Sequence, residues 1–197
     1  METDWAIFIE SEMDKMFFRE LKTDRLYLKN ISPEDREFVF AQFSNEHVNQ
    51  FLFDAEPLID IHGADEIIDF YITPEPRLQH RWILIKKDTG IRIGTCGFHC
   101  WDQEKSCCDI GYDLFPNFWG NGFMEEAMRS IISFARNDMD VKNIYACIYS
   151  DNRHSIKLAE KLGFVFKGNM KDEIFRGKRY PHKIFTLDSR VNERTMF

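Results

Sequence analysis

The stretch from Arg81 to Phe115 constrains the fold more than any other part of the chain. Three segments in it read as strands: 81–87 (RWILIKK), 91–101 (IRIGTCGFHCW) and 106–115 (SCCDIGYDLF). Asp88-Thr89-Gly90 and Asp102–Lys105 supply the turns between them. Strands joined so tightly run antiparallel, so the middle of the chain predicts a meander that its neighbours must cover.

Those neighbours alternate in period. RLYLKNI (25–31) is an alternating strand, and Ser32-Pro33-Glu34-Asp35 starts a helix running to about Ser44: a serine cap, a proline in the first turn, acids at the positive end. A second helix around 63–72 stops before Thr73-Pro74-Glu75-Pro76. From Gly120 to about Asn137, Phe123, Ala127, Ile131, Phe134 and Ala135 recur at three and four, a helical stripe. NIYACIY (143–149) is a strand, and Asn152–Leu162 is a helix that ends on Gly163. Two last strands, near 164–175 and 180–187, flank a turn at Arg176-Gly177-Lys178-Arg179. Before all of this, Trp5, Phe8, Ile9, Met13, Met16 and Phe17 lie at helical spacing and predict an amphipathic helix over 4–18. The fold class is α/β (α+β): one domain with a mixed, mostly antiparallel sheet flanked by helices. An N-terminal helical extension (1–22), the domain proper (23–188) and a short tail (189–197) divide the 197 residues.

Composition excludes some partners. The formal net charge of −7 argues against duplex nucleic acid, which wants a basic face, and fits a cationic partner such as a polyamine, a basic peptide or an aminoglycoside. No segment reaches the roughly 18–20 apolar residues that span a membrane, and the acidic start METDWAIFIESEMDK is not that of a signal peptide. Five cysteines, an odd number without a secretory address, predict reduced thiols and a cytoplasmic protein. Cys96, Cys100, Cys107 and Cys108 do not follow the paired CxxC spacing of structural zinc, and neighbours such as Cys107 and Cys108 point to opposite faces of a strand. No metal is expected, and these cysteines read as buried strand thiols.

Chemistry concentrates in Asp109-Ile-Gly-Tyr-Asp-Leu-Phe-Pro-Asn-Phe-Trp-Gly-Asn-Gly-Phe-Met-Glu-Glu-Ala127. A strand ends at Phe115, Pro116 stops the pairing, and a Gly-X-Gly turn opens a helix. The first N–H groups of a helix are unpaired and lie at the positive end of its dipole. Gly120 and Gly122 carry no side chains, so a phosphate can approach those groups closely. A glycine pair alone also describes an ordinary turn. The chain has no GxxxxGK[ST], and Glu125 stands where GxGxxG needs a third glycine or alanine.

The run Pro-X-X-Trp-Gly-X-Gly-Phe-X-X-Glu-Ala from Pro116 to Ala127 resembles the acetyl-CoA loop of the GNAT N-acetyltransferases, closest to the branch that acetylates ribosomal-protein N-termini. Leu26-Tyr-Leu, Ile93-Gly94, Asp109-Ile-Gly-Tyr112, Asn152-X-X-Ser155 and Lys161-Leu-Gly-Phe164 follow in the order of that branch, covering roughly residues 23–188. The resemblance implies an enzyme that moves an acetyl group from the CoA thioester to a primary amine by direct attack. Backbone N–H groups of Asn117, Phe118, Trp119, Gly120, Asn121, Gly122 and Phe123 would bind the pyrophosphate. Leu114 and Phe115 would pair with the pantetheine arm. Asn152 would hydrogen-bond that arm from the other side, and its position also suits a helix cap. Ser155 would lie near the sulfur.

Attack by an amine on a thioester needs a proton acceptor and donors for the oxyanion. Asp109 matches a position where the branch commonly carries Glu. Being one methylene shorter, it would work through water, and the alternative is a strand-edge carboxylate in a local hydrogen bond. Asn117 replaces the usual Gln or Arg, which weakens a side-chain contact to phosphate but not the backbone cradle. Ala159 stands where many relatives carry a thiolate-protonating tyrosine, so Ser155, water or direct departure of the thiolate remain open as the source of that proton. His99 and His154 are proton carriers by type, or else a strand and a surface histidine. Acetyl-CoA is the co-substrate implied. A protein N-terminus, polyamine, amino acid or aminoglycoside are the acceptors open to the sequence, as is a homodimer. A CoA-binding module without catalysis is the alternative.

Overall fold

The computed structural model describes residues 17–53, 55–170 and 172–188. Among the described residues there are ten strands: β1 (Leu21–Lys22), β2 (Leu26–Asn30), β3 (His80–Lys86), β4 (Arg92–Asp102), β5 (Cys107–Leu114), β6 (Asn143–Tyr149), β7 (Val165–Asn169), β8 (Glu173–Phe175), β9 (Lys178–Tyr180) and β10 (His182–Asp188). Five α-helices accompany them: α1 (Arg36–Phe43), α2 (Glu46–Asn49), α3 (His62–Ile72), α4 (Phe123–Asn137) and α5 (Arg153–Lys161). Eight strands make one sheet in the order β1-β2-β3-β4-β5-β6-β10-β7, and β8 and β9 form a separate ribbon. Every pairing in the sheet is antiparallel except β5–β6. The expected fold class and the β3–β4–β5 meander are therefore present.

Alternation of side chains sorts the sheet into two faces. On one, Trp82, Phe98, Cys108, Ile110, Ile144, Ala146 and Phe185 form the main core with α4 and α5. Helix α4 buries Phe123, Ala127, Ile131, Phe134 and Ala135, the stripe its period predicts, together with Met124 and Met128. Each large apolar side chain removed from water there contributes about 1.5–3 kcal/mol, which outweighs helix propensity in holding the element. On the other face, Ile31 and Ile83 pack with Val39 of α1 and with Ala64, Ile68 and Tyr71 of α3, a smaller core over the β2–β4 side of the sheet.

Local differences from expectation have local causes. Pro33–Asp35 is a turn of 3₁₀ helix before α1, because the Asp35 carboxylate reaches back to the Ser32 N–H at 3.0 Å and tightens the first turn. The two closing strands are four. Arg176 and Gly177 both have positive φ, 48° and 72°, so a two-residue turn folds β8 onto β9 outside the main sheet. Phe53 stacks on Tyr180 at 3.7 Å and Arg176 pairs with Glu56, and these contacts fasten the ribbon to the loop before α3. Cys96 and Cys108 are buried strand thiols as expected, but Cys100 is exposed and Cys107 half-buried, because a register shift between His99 and Asp102 turns the end of β4 outward. The amphipathic helix expected over 4–18 lies, up to residue 16, outside the described residues. Phe17 and Phe18 form a bend, and Phe18 is buried against His80, Trp82 and Phe134.

Candidate active site

Strands β5 and β6 pair only where Cys107–Asp109 meet Asn143–Tyr145. Beyond that point β5 continues to Leu114 and β6 to Tyr149 without pairing to each other, so the sheet opens. Parallel neighbours with an opening between them leave backbone donors and acceptors facing a gap, and such groups need partners.

The loop from Phe115 to Gly122 closes the wide end of this opening. Pro116–Phe118 makes one 3₁₀ turn, and the Trp119 indole N–H donates to the Leu114 carbonyl at 2.7 Å, folding the loop back over the strand end. Gly120 and Gly122 both lie in the left-handed region, φ 75° and 76°, where a side chain is strained. Gly122 caps α4 without any side-chain bond. From Gly120 to Glu125 the backbone N–H groups find no acceptor among the described residues. They stand at the positive end of a fifteen-residue helix. The loop is tied down from far away: Arg25 donates to the Asn121 carbonyl at 3.0 Å and pairs with Glu126 at 2.6 Å, while its guanidinium lies 4.5 Å from the Phe123 ring centre.

Helix α5 flanks the same opening. Asn152 caps it, its Oδ1 accepting from the Ser155 N–H at 3.1 Å, so the cap expected from position exists and the amide Nδ2 makes no hydrogen bond among the described residues. Tyr112 of β5 reaches across to donate to the Ser155 carbonyl at 3.4 Å, and burial pushes its phenol up to about 12. Trp119 and His154 bring loop and helix together, their ring centres 6.1 Å apart. Leu114, Phe115, the 117–123 loop, Asn152 and Ser155 thus border one opening.

Asp109 stands apart from that group. It lies at the closed end of the opening, about 10 Å along the strand from Tyr112, and its alternation directs it to the face opposite α5 and Ser155. Burial raises its carboxyl above the usual range, and a hydrogen bond from the Cys100 thiol partly offsets this. Its cross-strand partners are His99 and Tyr145. On the same face of the sheet, Arg81 donates to Asp113 at 2.8 Å and to Thr95 at 2.7 Å, all three buried, with its guanidinium 5.0 Å from the Tyr71 ring centre. Burial, and then the charge of Arg81, lower His99 to about 4, so it is neutral near pH 7. Among the described residues no group of three or more His, Cys, Asp or Glu could hold a metal, and no helix is long and apolar enough to cross a membrane.

Residues 25–165 match the family profile of the acetyltransferase (GNAT) domain. The chain belongs to the GNAT acetyltransferase family. It is 31% identical over 172 residues to the uncharacterized N-acetyltransferase YoaA of Bacillus subtilis, covering 86% of this chain and 97% of that one. A putative ribosomal N-acetyltransferase of the same organism, YdaF, is 27% identical over 86 residues, 44% of this chain and 47% of that one. The fold of this GNAT domain is also that of a spermidine N-acetyltransferase from Vibrio cholerae, solved in complex with CoA and spermine: TM-score 0.75 at 17% identity, covering 84% of this chain and 96% of that one. The enzyme is therefore an acyltransferase that uses acetyl-CoA, an N-acetyltransferase by family.

Sequence reasoning did not single out Arg25, Tyr71, Arg81 or Asp113 at this GNAT site. Arg81 and Asp113 carried a faint signal, being charges inside strands whose neighbours are apolar. Arg25 carried none, since its partner Glu126 is 101 positions away.

Proposed function

We propose that acetyl-CoA lies in the β5–β6 opening with its pyrophosphate on the N–H groups from Gly120 into the start of α4; within the expected Asn117–Phe123 cradle, those of Phe118 and Trp119 are already bonded to the Phe115 and Pro116 carbonyls and take no part. The observation that carries this is the run of N–H groups from Gly120 to Glu125 that find no acceptor among the described residues, on two left-handed glycines beside the end of β5 that β6 does not pair. The pantetheine arm runs along Leu114 and Phe115. The Leu114 carbonyl is already engaged by Trp119, so the arm pairs with the remaining backbone groups of β5. The free Nδ2 of Asn152 meets the arm from α5, and Ser155 lies toward the thioester. The acceptor amine enters from the opposite face, and Asp109 takes its proton through water. The neutral amine then attacks the carbonyl carbon and the C–S bond breaks. Ser155 or water hands a proton to the departing thiolate and regains one from the nitrogen, which sheds its second proton as it becomes the amide.

Polyamines and protein N-termini lead the acceptor panel, because a spermidine N-acetyltransferase shares the fold and a putative ribosomal N-acetyltransferase shares sequence. The Asp109 carboxyl, on which no cation acts among the described residues, suits the cationic end of either. The cytoplasm is the compartment that fits, given five free cysteines.

The test is acetyl-CoA turnover, read as free CoA, against spermidine, an alanine-ended decapeptide, lysine and kanamycin, with binding measured in Gly122→Val. A valine at φ 76° is strained by about 1–3 kcal/mol and fills the phosphate's approach. Affinity for acetyl-CoA is expected to fall at least about tenfold, as for loss of hydrogen bonds to a charged group. Unchanged affinity in the folded variant moves the phosphate elsewhere.

A further inference from the structure

We infer that His99 is a positioning residue for the acceptor amine, its imidazole held over Gly111 and beside Asp109 where β5 and β6 part. This rests on acetyl-CoA occupying the opening, and it concerns the other substrate. Three features carry it. His99, Asp109 and Tyr145 form a row across three adjacent strands, the last row before the sheet opens. The next residue on that face of β5 is Gly111, and a Cβ there would stand 3.2 Å from His99 Nε2 and 3.9 Å from Arg81 Nη2. The missing side chain thus leaves the ring over bare backbone beside the gap. The ring also has neighbours: Tyr71 Oη lies 3.4 Å from both ring nitrogens, and Arg81, itself anchored by Thr95 and Asp113, reaches Nε2 only at 3.5 Å, the limit of a hydrogen bond.

A neutral imidazole has one N–H and one lone pair. Beside the permanent charge of Arg81 it does not compete with Asp109 for the proton, and it adds no repulsion toward a cationic acceptor. An attacking amine keeps two N–H bonds after it loses its proton. These must be held for its lone pair to face the carbonyl carbon. His99 accepts one of them on Nε2, whose lone pair Arg81 reaches only at 3.5 Å, and Asp109 receives the proton. The two neighbours therefore divide orientation from proton transfer.

The experiment is steady-state kinetics of the full chain with the panel amine that the wild-type enzyme consumes, alongside acetyl-CoA affinity and melting temperature. His99→Phe keeps a ring and removes both nitrogens, and it is expected to raise the acceptor KM about tenfold. The kcat should fall less, and acetyl-CoA affinity should stay within about twofold, below the effect of one lost hydrogen bond. His99→Gln, which keeps an acceptor atom, is expected to restore part of the KM, and Gly111→Ala to raise it by crowding the ring. These last two variants decide the matter if the phenylalanine protein does not fold. An unchanged acceptor KM with a lower melting temperature makes His99 structural and overturns the inference. Parallel losses of both substrates' affinities overturn it as well. A wild-type enzyme that binds acetyl-CoA but consumes no panel amine removes the proposed acceptor chemistry and this inference with it. One that does not bind acetyl-CoA removes the proposed function itself.

Discussion

Two regions border the β5–β6 opening, and they are built in opposite ways. The turn from Leu114 to Phe123 is one uninterrupted run whose working parts are backbone N–H groups and two glycines. The cluster on the Asp109 face of the sheet draws Tyr71 from α3, Arg81 from β3, His99 from β4 and Asp113 from β5, and its working parts are side chains. A backbone site tolerates many neighbours as long as the local φ values hold. A side-chain site depends on every element that carries a member. The cofactor side should therefore survive substitutions that cripple the acceptor side, and selective damage is the way to test this.

The largest separation is expected from Asp109→Asn. Removing the carboxylate should lower turnover by roughly 10²–10⁴-fold, the range for a general base, with acetyl-CoA affinity little changed. Because burial raises the Asp109 carboxyl, the wild-type rate should fall as pH drops through that raised value. The variant lacks that limb, and its deficit should shrink as pH rises and more amine is already neutral. Turnover against pH at saturating acetyl-CoA measures this. Parallel profiles would take Asp109 out of the mechanism.

Arg81→Met tests the dependence on distant elements. It leaves Asp113 buried without its cation, which costs about 3–5 kcal/mol. Urea unfolding should record that loss, and Arg81→Met with Asp113→Leu should recover most of it, since an apolar pair of similar volume leaves no buried charge. A single variant as stable as wild type would mean that water already reaches the pair.

Saturating acetyl-CoA should act through the other region. At 100 times its dissociation constant it should stabilise the fold by about 2.7 kcal/mol, in the wild type and in folded Arg81→Met alike. A shift present in one and absent in the other would couple the two sides and end the comparison. The smallest effect belongs to Asn152. Asn152→Ala loses the α5 cap, about 1 kcal/mol, whereas Asn152→Ser keeps a capping oxygen and loses only the Nδ2 donor. Equal falls in acetyl-CoA affinity with unequal melting temperatures would separate the two duties of that amide.

What the sequence determined by itself was everything written in short spacing. The β3–β4–β5 meander follows from three strands and two short turns, α4 from an apolar stripe at three and four, and the cap of α5 from Asn152. The glycine turn was legible because its chemistry is backbone chemistry, and Pro116, Gly120 and Gly122 state their φ requirements locally. Only the tertiary structure decided where β5 and β6 stop pairing, since strand separation depends on both partners and on what α4 and α5 pack beneath them. It also turned Asp109 away from Ser155, two residues that sequence had grouped as catalytic. One register alternation separates them, and alternation has meaning only once a strand has a core side. The Arg81–Asp113 pair and the seat of His99 over Gly111 arise the same way. Side chains 14 to 32 positions apart meet there because antiparallel pairing puts them in register, and no local signal in the chain encodes that distance.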